Sequence, residues 1–413
     1  MTDFQPTLAF AQSMTAADPL AAYRERFHIP KSADGEECIY LCGHSLGLQP
    51  KSARQYIEQE MKDWERLGVE GHFHARHPWM PYHKLLTEQT ARLVCAQPSE
   101  VVIMNSLTVN LHLMMVSFYR PTRRRHRIVI EENAFPSDQY AVNSQIQFHG
   151  FDPAESLIAV AGEEELQAVL GQQGESVALI LLGGVNYSSG RAFDLAGVAR
   201  AGHATGCVVG FDLAHAAGNL PLKLHEWDAD FAAWCTYKYL NGGPGSVAGC
   251  FVHERHARED LPRFAGWWGH DQETRFRMGP EFHATPGAEG WQVSNPPILA
   301  LAALRAAMDV MDEAGIEQLR AKSILLTGYL EFLLARHANR WFSIITPSDR
   351  ERRGAQLSIR VGTNVRTVCE RLATEGIVCD WREPDILRVA PIPLYNSFPD
   401  VYRFVERFIA ALD

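Results

Sequence analysis

The chain has 413 residues, 46% hydrophobic and 21% charged, enough to build a large buried core without disulfides or a structural metal. A formal charge of -10 and a pI near 5.9 argue against a nucleic-acid partner or an anionic membrane surface. The length suggests two domains, or one large core with an appendage.

The first residues, "MTDFQPTLAFAQSM", lack a basic region followed by a long apolar one. Residues 1–60 are expected to pack with a small domain. "HFHARHPW" carries His72, His74 and His77, which read as loop histidines in a pocket or on the surface, so no metal is expected there. From about residue 84 to 255, apolar runs alternate with amphipathic stretches. "EVVIMNS" leads to a helical pattern from Val109 to Phe118, then come "RIVIEE" and "ALILLGGV". "RRRHR" at Arg123–Arg127 reads as a solvated loop before the "IVI" strand. The helix-like "LAGVARAGHAT" precedes "CVVGFDLAH", "FAAWCTYK" and "VAGCFVHE". Such runs between helices predict a mostly parallel α/β sheet buried on both faces, in a large domain spanning 61–300. After residue 300, a long helix, the strands "FSIIT", "AQLSIRVG", "IVCDWRE" and "ILRVA", and a last helix predict a small α+β domain, 301–413. The longest apolar run, "VALILLGGV", is too short to cross a bilayer. Eight cysteines are scattered without C-x-x-C or zinc spacing, which reads as reduced thiols in a cytoplasmic protein.

Ligands of such sheets bind beyond the carboxyl ends of the strands. Those ends hold Asn105–Thr108, Phe135–Asp138, Asn186, Asp212–His215 and Tyr237–Asn241. Lys238 in "CTYKYLNGGPGS" follows an apolar run, and burying a lysine is costly unless its amine is paired or neutral. Asp212 closes the preceding strand; alone it would read as a helix cap. Together the two charges suit pyridoxal phosphate, whose aldehyde takes a lysine amine and whose pyridine nitrogen takes a carboxylate. Its phosphate needs backbone N–H groups at a turn such as that of Leu107 and Thr108, although Thr108 alone reads equally as a plain N-cap. Phe135 offers a ring face, followed by Ser137 and Asp138. "GGPGS" lacks a nucleotide-loop pattern and reads as a tight turn.

"FDLAHAAGN", "CTYKYLNGGPG", "GWWGH", "SNPPI" and "RVAPIPLYNSF" together resemble the kynureninase family, fold-type I enzymes dependent on pyridoxal phosphate. "GHSLGLQP", "NSLTVNLHL", "NAFPSDQY" and "GVNYSSG" resemble it too, in the family's order from about residue 40 to 400.

The resemblance implies a cytoplasmic homodimer that hydrolyses a carbon–carbon bond of a ketonic substrate. Kynurenine or 3-hydroxykynurenine would give an anthranilate and L-alanine, in tryptophan catabolism. Lys238 would hold the cofactor and act as base. Tyr237 would contact the phosphate and help move protons. Leu107 and Thr108 would bind phosphate, Phe135 would stack on the ring, and Asp212 would pair with its nitrogen, with Ser137, Asp138 and His215 nearby. Trp267 and Asn295 would reach the cofactor across a dimer interface. Arg388 would clamp the substrate carboxylate, although alone it could be a surface strand residue. His72, Ser294 and Asn295 would hold a ring hydroxyl, so 3-hydroxykynurenine is the expected preference. Two departures stand out: His44 replaces the family's usual asparagine in G-N-S-L-G, and Gly183 stands where a Ser or Thr is common. The rival readings are a cysteine desulfurase or a transaminase on the same fold, and a non-catalytic cofactor binder. A desulfurase needs a reactive loop cysteine, which neither Cys369 nor Cys379 supplies from its pattern.

Overall fold

Seven strands form one sheet through the computed structural model, which describes residues 3–337 and 341–412. In spatial order they are Val101–Ile103, Gly249–Val252, Phe231–Trp234, Val208–Asp212, Val177–Gly183, Arg127–Glu131 and Leu157–Val160. The last five run parallel, while Gly249–Val252 is antiparallel to both neighbours. The central strands are buried along almost their whole length, as their unbroken apolar sequences require. Leaving Arg127–Glu131, the chain goes outward to Leu157–Val160 and returns on the other side as Val177–Gly183. Such a reversal opens a crevice at the carboxyl ends of the strands.

A second, antiparallel sheet has the order Asp380–Arg382, Ile386–Val389, Leu357–Val361, Phe342–Ile344. Its core joins Leu330, Leu357 and Ile359 to Phe404 and Phe408 of the last helix, Phe398–Leu412. The N-terminal segment serves both cores. Ala11, Ile39 and Leu41 enter the smaller one, and Leu20, Phe27 and Leu48 the larger. Ile39–Tyr40 also pairs in parallel with Ile377–Val378.

Three expectations are refined. The "FAAWCTYK" strand ends at Trp234, so Lys238 sits in the following turn. "IVCDWRE" splits into Ile377–Val378 and Asp380–Arg382, which join different sheets. The "RRRHR" run is not wholly solvated: Arg125 donates to the carbonyls of Val177, Thr205 and Gly206, pinning two loops. Among the described residues, no helix is long and apolar enough to cross a membrane.

Candidate active site

A cavity of about 380 Å³ lies at the carboxyl ends of the parallel strands. Sharp turns build its rim. Asn105, Asn133 and Asn241 take left-handed φ values of 51°, 59° and 57°, which asparagine tolerates better than most residues. The "GHSLG" segment packs onto the Lys238 turn, with Gly47 N–H donating to the Tyr237 carbonyl at 2.8 Å. A Cβ on Gly47 would come 2.3 Å from the Lys238 carbonyl, so only glycine fits there.

Lys238 Nζ lies 2.9 Å from His215 Nε2. Asp212 is buried and accepts from Ala214 N–H at 2.7 Å. Its other neighbour is Asp138, to which it is hydrogen-bonded. Burial pushes both carboxyls up, Asp138 much the farther because the Asp212 charge faces it. Asp138 therefore carries the shared proton and donates it to Asp212.

Opposite, two helices begin side by side. Leu107–Phe118 and Pro136–Phe148 both start without a side-chain cap, and Pro136 suits the first helical turn. Thr108 Oγ1 and Ser137 Oγ meet at 2.7 Å between them. Two uncapped N-termini and two hydroxyls make a cradle for an anion. Phe135 is 49% exposed and meets Tyr187 edge-on at 5.2 Å.

The third wall comes from the small sheet. Arg388 is 1% exposed, so it is no surface residue. Its Nε donates to Asp380 Oδ1 at 2.8 Å, its Nη2 to Asp380 Oδ2, and its Nη1 to the Tyr187 carbonyl at 2.7 Å. His44 Nε2 donates to the same Asp380 Oδ1 at 3.1 Å. Burial pushes His44 down to about 4, so its ring is neutral near pH 7, with Nδ1 unprotonated and without a partner. Despite burial, His44 and Arg388 hold the Asp380 carboxyl below the usual range.

Of the residues singled out in the sequence, Leu107, Thr108, Phe135, Ser137, Asp138, Asp212, His215, Tyr237, Lys238 and Arg388 line the cavity. His72, Trp267, Ser294 and Asn295 do not. Sequence reasoning missed Arg382, Asp380, Tyr187 and Glu131. Glu131 accepts from Asn186 Nδ2 at 2.7 Å, and burial pushes its carboxyl up to about 7. A Cβ on Gly183 would come 3.3 Å from Glu131 Oε2, so the absent side chain leaves room beside this acid.

Residues 319–408 match the kynureninase C-terminal domain. A kynureninase of Koribacter versatilis (strain Ellin345) is 68% identical over 99% of each chain. One of Myxococcus xanthus (strain DK1622) is 58% identical, covering 98% of this chain and 97% of its own. The chain belongs to the kynureninase family. Its architecture is that of fold-type I enzymes: the cysteine desulfurase CsdA of Escherichia coli superposes with a TM-score of 0.76 at 19% identity, over 95% of this chain and 98% of that one. That likeness concerns the fold alone. In this chain Cys369 lies within the helix Val365–Thr374, and a hydrogen bond from it, with burial, raises the thiol of Cys379. Neither is the activated loop thiolate that desulfuration needs.

Proposed function

We propose that the cavity around Lys238 is where this member of the kynureninase family binds its cofactor and cleaves its substrate. The family's reaction is hydrolysis of the Cβ–Cγ bond of kynurenine or 3-hydroxykynurenine, giving anthranilate or 3-hydroxyanthranilate and L-alanine, a step of tryptophan catabolism that depends on pyridoxal phosphate. The residues present fit that cofactor. An amine, a buried acid pair and an anion cradle face one cavity, and His215, which lines it, has a buried Nδ1 without a protein partner.

Lys238 would hold the cofactor through Nζ. Leu107, Thr108 and Ser137 would receive its phosphate, Phe135 its ring face, and Asp212 its pyridine nitrogen. When bound, pyridoxal phosphate withdraws electrons from the α-carbon of an amino acid. Lys238 Nζ would be the base that accepts the α-proton of the bound amino acid and returns protons later. His215 is held neutral by burial and offers Nε2 as an acceptor that orients Nζ. Asp138 donates to Asp212 and so fixes the acid that would face the ring. Burial keeps the Tyr237 phenol protonated, a donor for phosphate and for proton movement. Arg388 binds the substrate carboxylate through the N–H groups that Asp380 and Tyr187 leave free. The observation carrying this reading is the convergence of Lys238, the Asp212–Asp138 pair and Arg388 on one cavity. Incubation with kynurenine should release fluorescent anthranilate; its absence with cofactor bound would refute the reading.

We place Trp267, Asn295, His72 and Ser294 in the neighbouring subunit's site. Trp267 is 39% exposed and packs on Phe276, itself 58% exposed, with Phe73 beside it at 54%. Such an aromatic patch favours a second copy of the chain. Mixing Lys238→Ala with Trp267→Ala protein should restore activity that neither variant has, if sites are shared between two subunits. No recovery after subunit exchange would refute the sharing. The eight cysteines are all free, which supports a reducing, cytoplasmic setting. We divide the chain into a large domain of residues 61–300 and a small one of 301–413, with Leu301, Leu304 and Met308 of the helix Ile298–Ala314 and Leu319 of the next helix packing into the large core.

A further inference from the structure

Asp380 and Arg382 are two residues apart on one strand, so they share a face. Antiparallel pairing sets Asp380 opposite Arg388 and Arg382 opposite Ile386. The intervening Trp381 packs against the small core. Arg382 lines the cavity with its side chain 38% exposed, and its Nη1 lies 3.3 Å from Asp380 Oδ2 and 2.8 Å from the Trp381 carbonyl.

The charges of this corner can be counted. Asp380 and Arg388 share two parallel hydrogen bonds on the Nε–Nη2 edge and cancel each other. His44 is neutral. A carboxylate arriving beside a compensated pair would meet hydrogen-bond donors but little net attraction. Arg382 leaves the corner with one uncompensated positive charge. We infer that Arg382 is the second cation of the substrate-carboxylate site: Arg388 supplies orientation through its free N–H groups, and Arg382 supplies the net charge that selects α-amino acids over amines. This rests on the reading of Arg388 given above.

The test uses the holoenzyme and two amines, L-alanine and kynuramine, the analogue of kynurenine without its α-carboxylate. Inhibition constants are measured for both, with kcat and KM for kynurenine, in wild type, Arg382→Gln, Arg382→Lys and Arg388→Gln. Arg382→Gln should weaken L-alanine and raise KM by roughly two- to fivefold, the range for a partly exposed charge. Its kcat should stay within about twofold and kynuramine should bind as before, because uniform binding is what is lost. Arg382→Lys should recover most of the affinity, since charge rather than a planar fork is required. Equal weakening of kynuramine, or unchanged L-alanine binding, would overturn the inference. If Arg388→Gln alone alters discrimination between the two amines, the inference falls and the Arg388 reading stands. If neither glutamine variant alters it, the carboxylate site lies elsewhere and both fall.

Discussion

The amine of Lys238 lies 2.9 Å from His215 Nε2, so it meets an imidazole. Burial first, and then the nearby cations including Lys238, push His215 well below its ordinary range. A neutral imidazole whose Nε2 accepts from the amine must carry its proton on Nδ1. That Nδ1 is buried and has no protein partner. A buried donor left unmet costs about 1–3 kcal/mol, so a ligand oxygen is expected to meet it. His215→Phe should therefore weaken pyridoxal phosphate retention by about tenfold or more, read by equilibrium dialysis. Unchanged retention would mean that Nδ1 makes no ligand contact.

Asp212→Asn tests the acid proposed to face the cofactor ring. A carboxylate that matters as charge develops should lower kcat by at least about a hundredfold while KM changes little. Steady-state kinetics with kynurenine decide it, and a near-normal kcat would remove Asp212 from that role.

Arg388→Ala should mainly raise KM. The loss in kcat/KM should be on the order of 2–5 kcal/mol, because Asp380 also loses its two-bond partner, keeping His44 and Arg382. An unchanged KM would put the substrate carboxylate elsewhere.

His44 makes acid stability testable. Its imidazole protonates near its usual value of 6.5 when unfolded, but only near 4 when folded. Between those values the unfolded chain binds a proton that the folded chain does not, so stability falls as pH drops from 6.5 towards 4. Between pH 7 and pH 4, wild type should lose on the order of 3 kcal/mol more than His44→Asn, measured by urea unfolding. Parallel losses in the two proteins would show that His44 does not titrate this way.

Much of the site was legible because its residues follow apolar strands directly. Asp212 ends such a run, Phe135–Asp138 and Asn105–Thr108 open helices, and Lys238 precedes a glycine turn. The acid-and-arginine corner was harder. "CDWRE" read as one strand, yet its value lies in Asp380 and Arg382 sharing a face next to Arg388, and that depends on pairing with Ile386–Val389. His44 was noticed as a departure, but its hydrogen bond to Asp380 spans most of the chain and leaves no local signal. Glu131 closes "RIVIEE" much as Asp212 closes its own strand and could have been read the same way. His72, Trp267, Ser294 and Asn295 carry family motifs, but the fold of one chain does not bring them to the cavity.

The proposed place of those distant residues in a neighbouring subunit's site makes substrate choice their test. His72→Trp with Asn295→Thr should shift the ratio of kcat/KM values away from 3-hydroxykynurenine and towards kynurenine, because polar partners for a ring hydroxyl are lost. Wild type should prefer the hydroxylated substrate. A wild type preferring kynurenine, or a double variant with an unshifted ratio, would contradict this assignment.

The central claim is that Lys238 carries the cofactor in this cavity. Borohydride reduction of the holoenzyme, followed by peptide mass mapping, tests it most directly. The account predicts one phosphopyridoxyl group, on the peptide containing Lys238. A label on another lysine, with Lys238 unmodified, would contradict it.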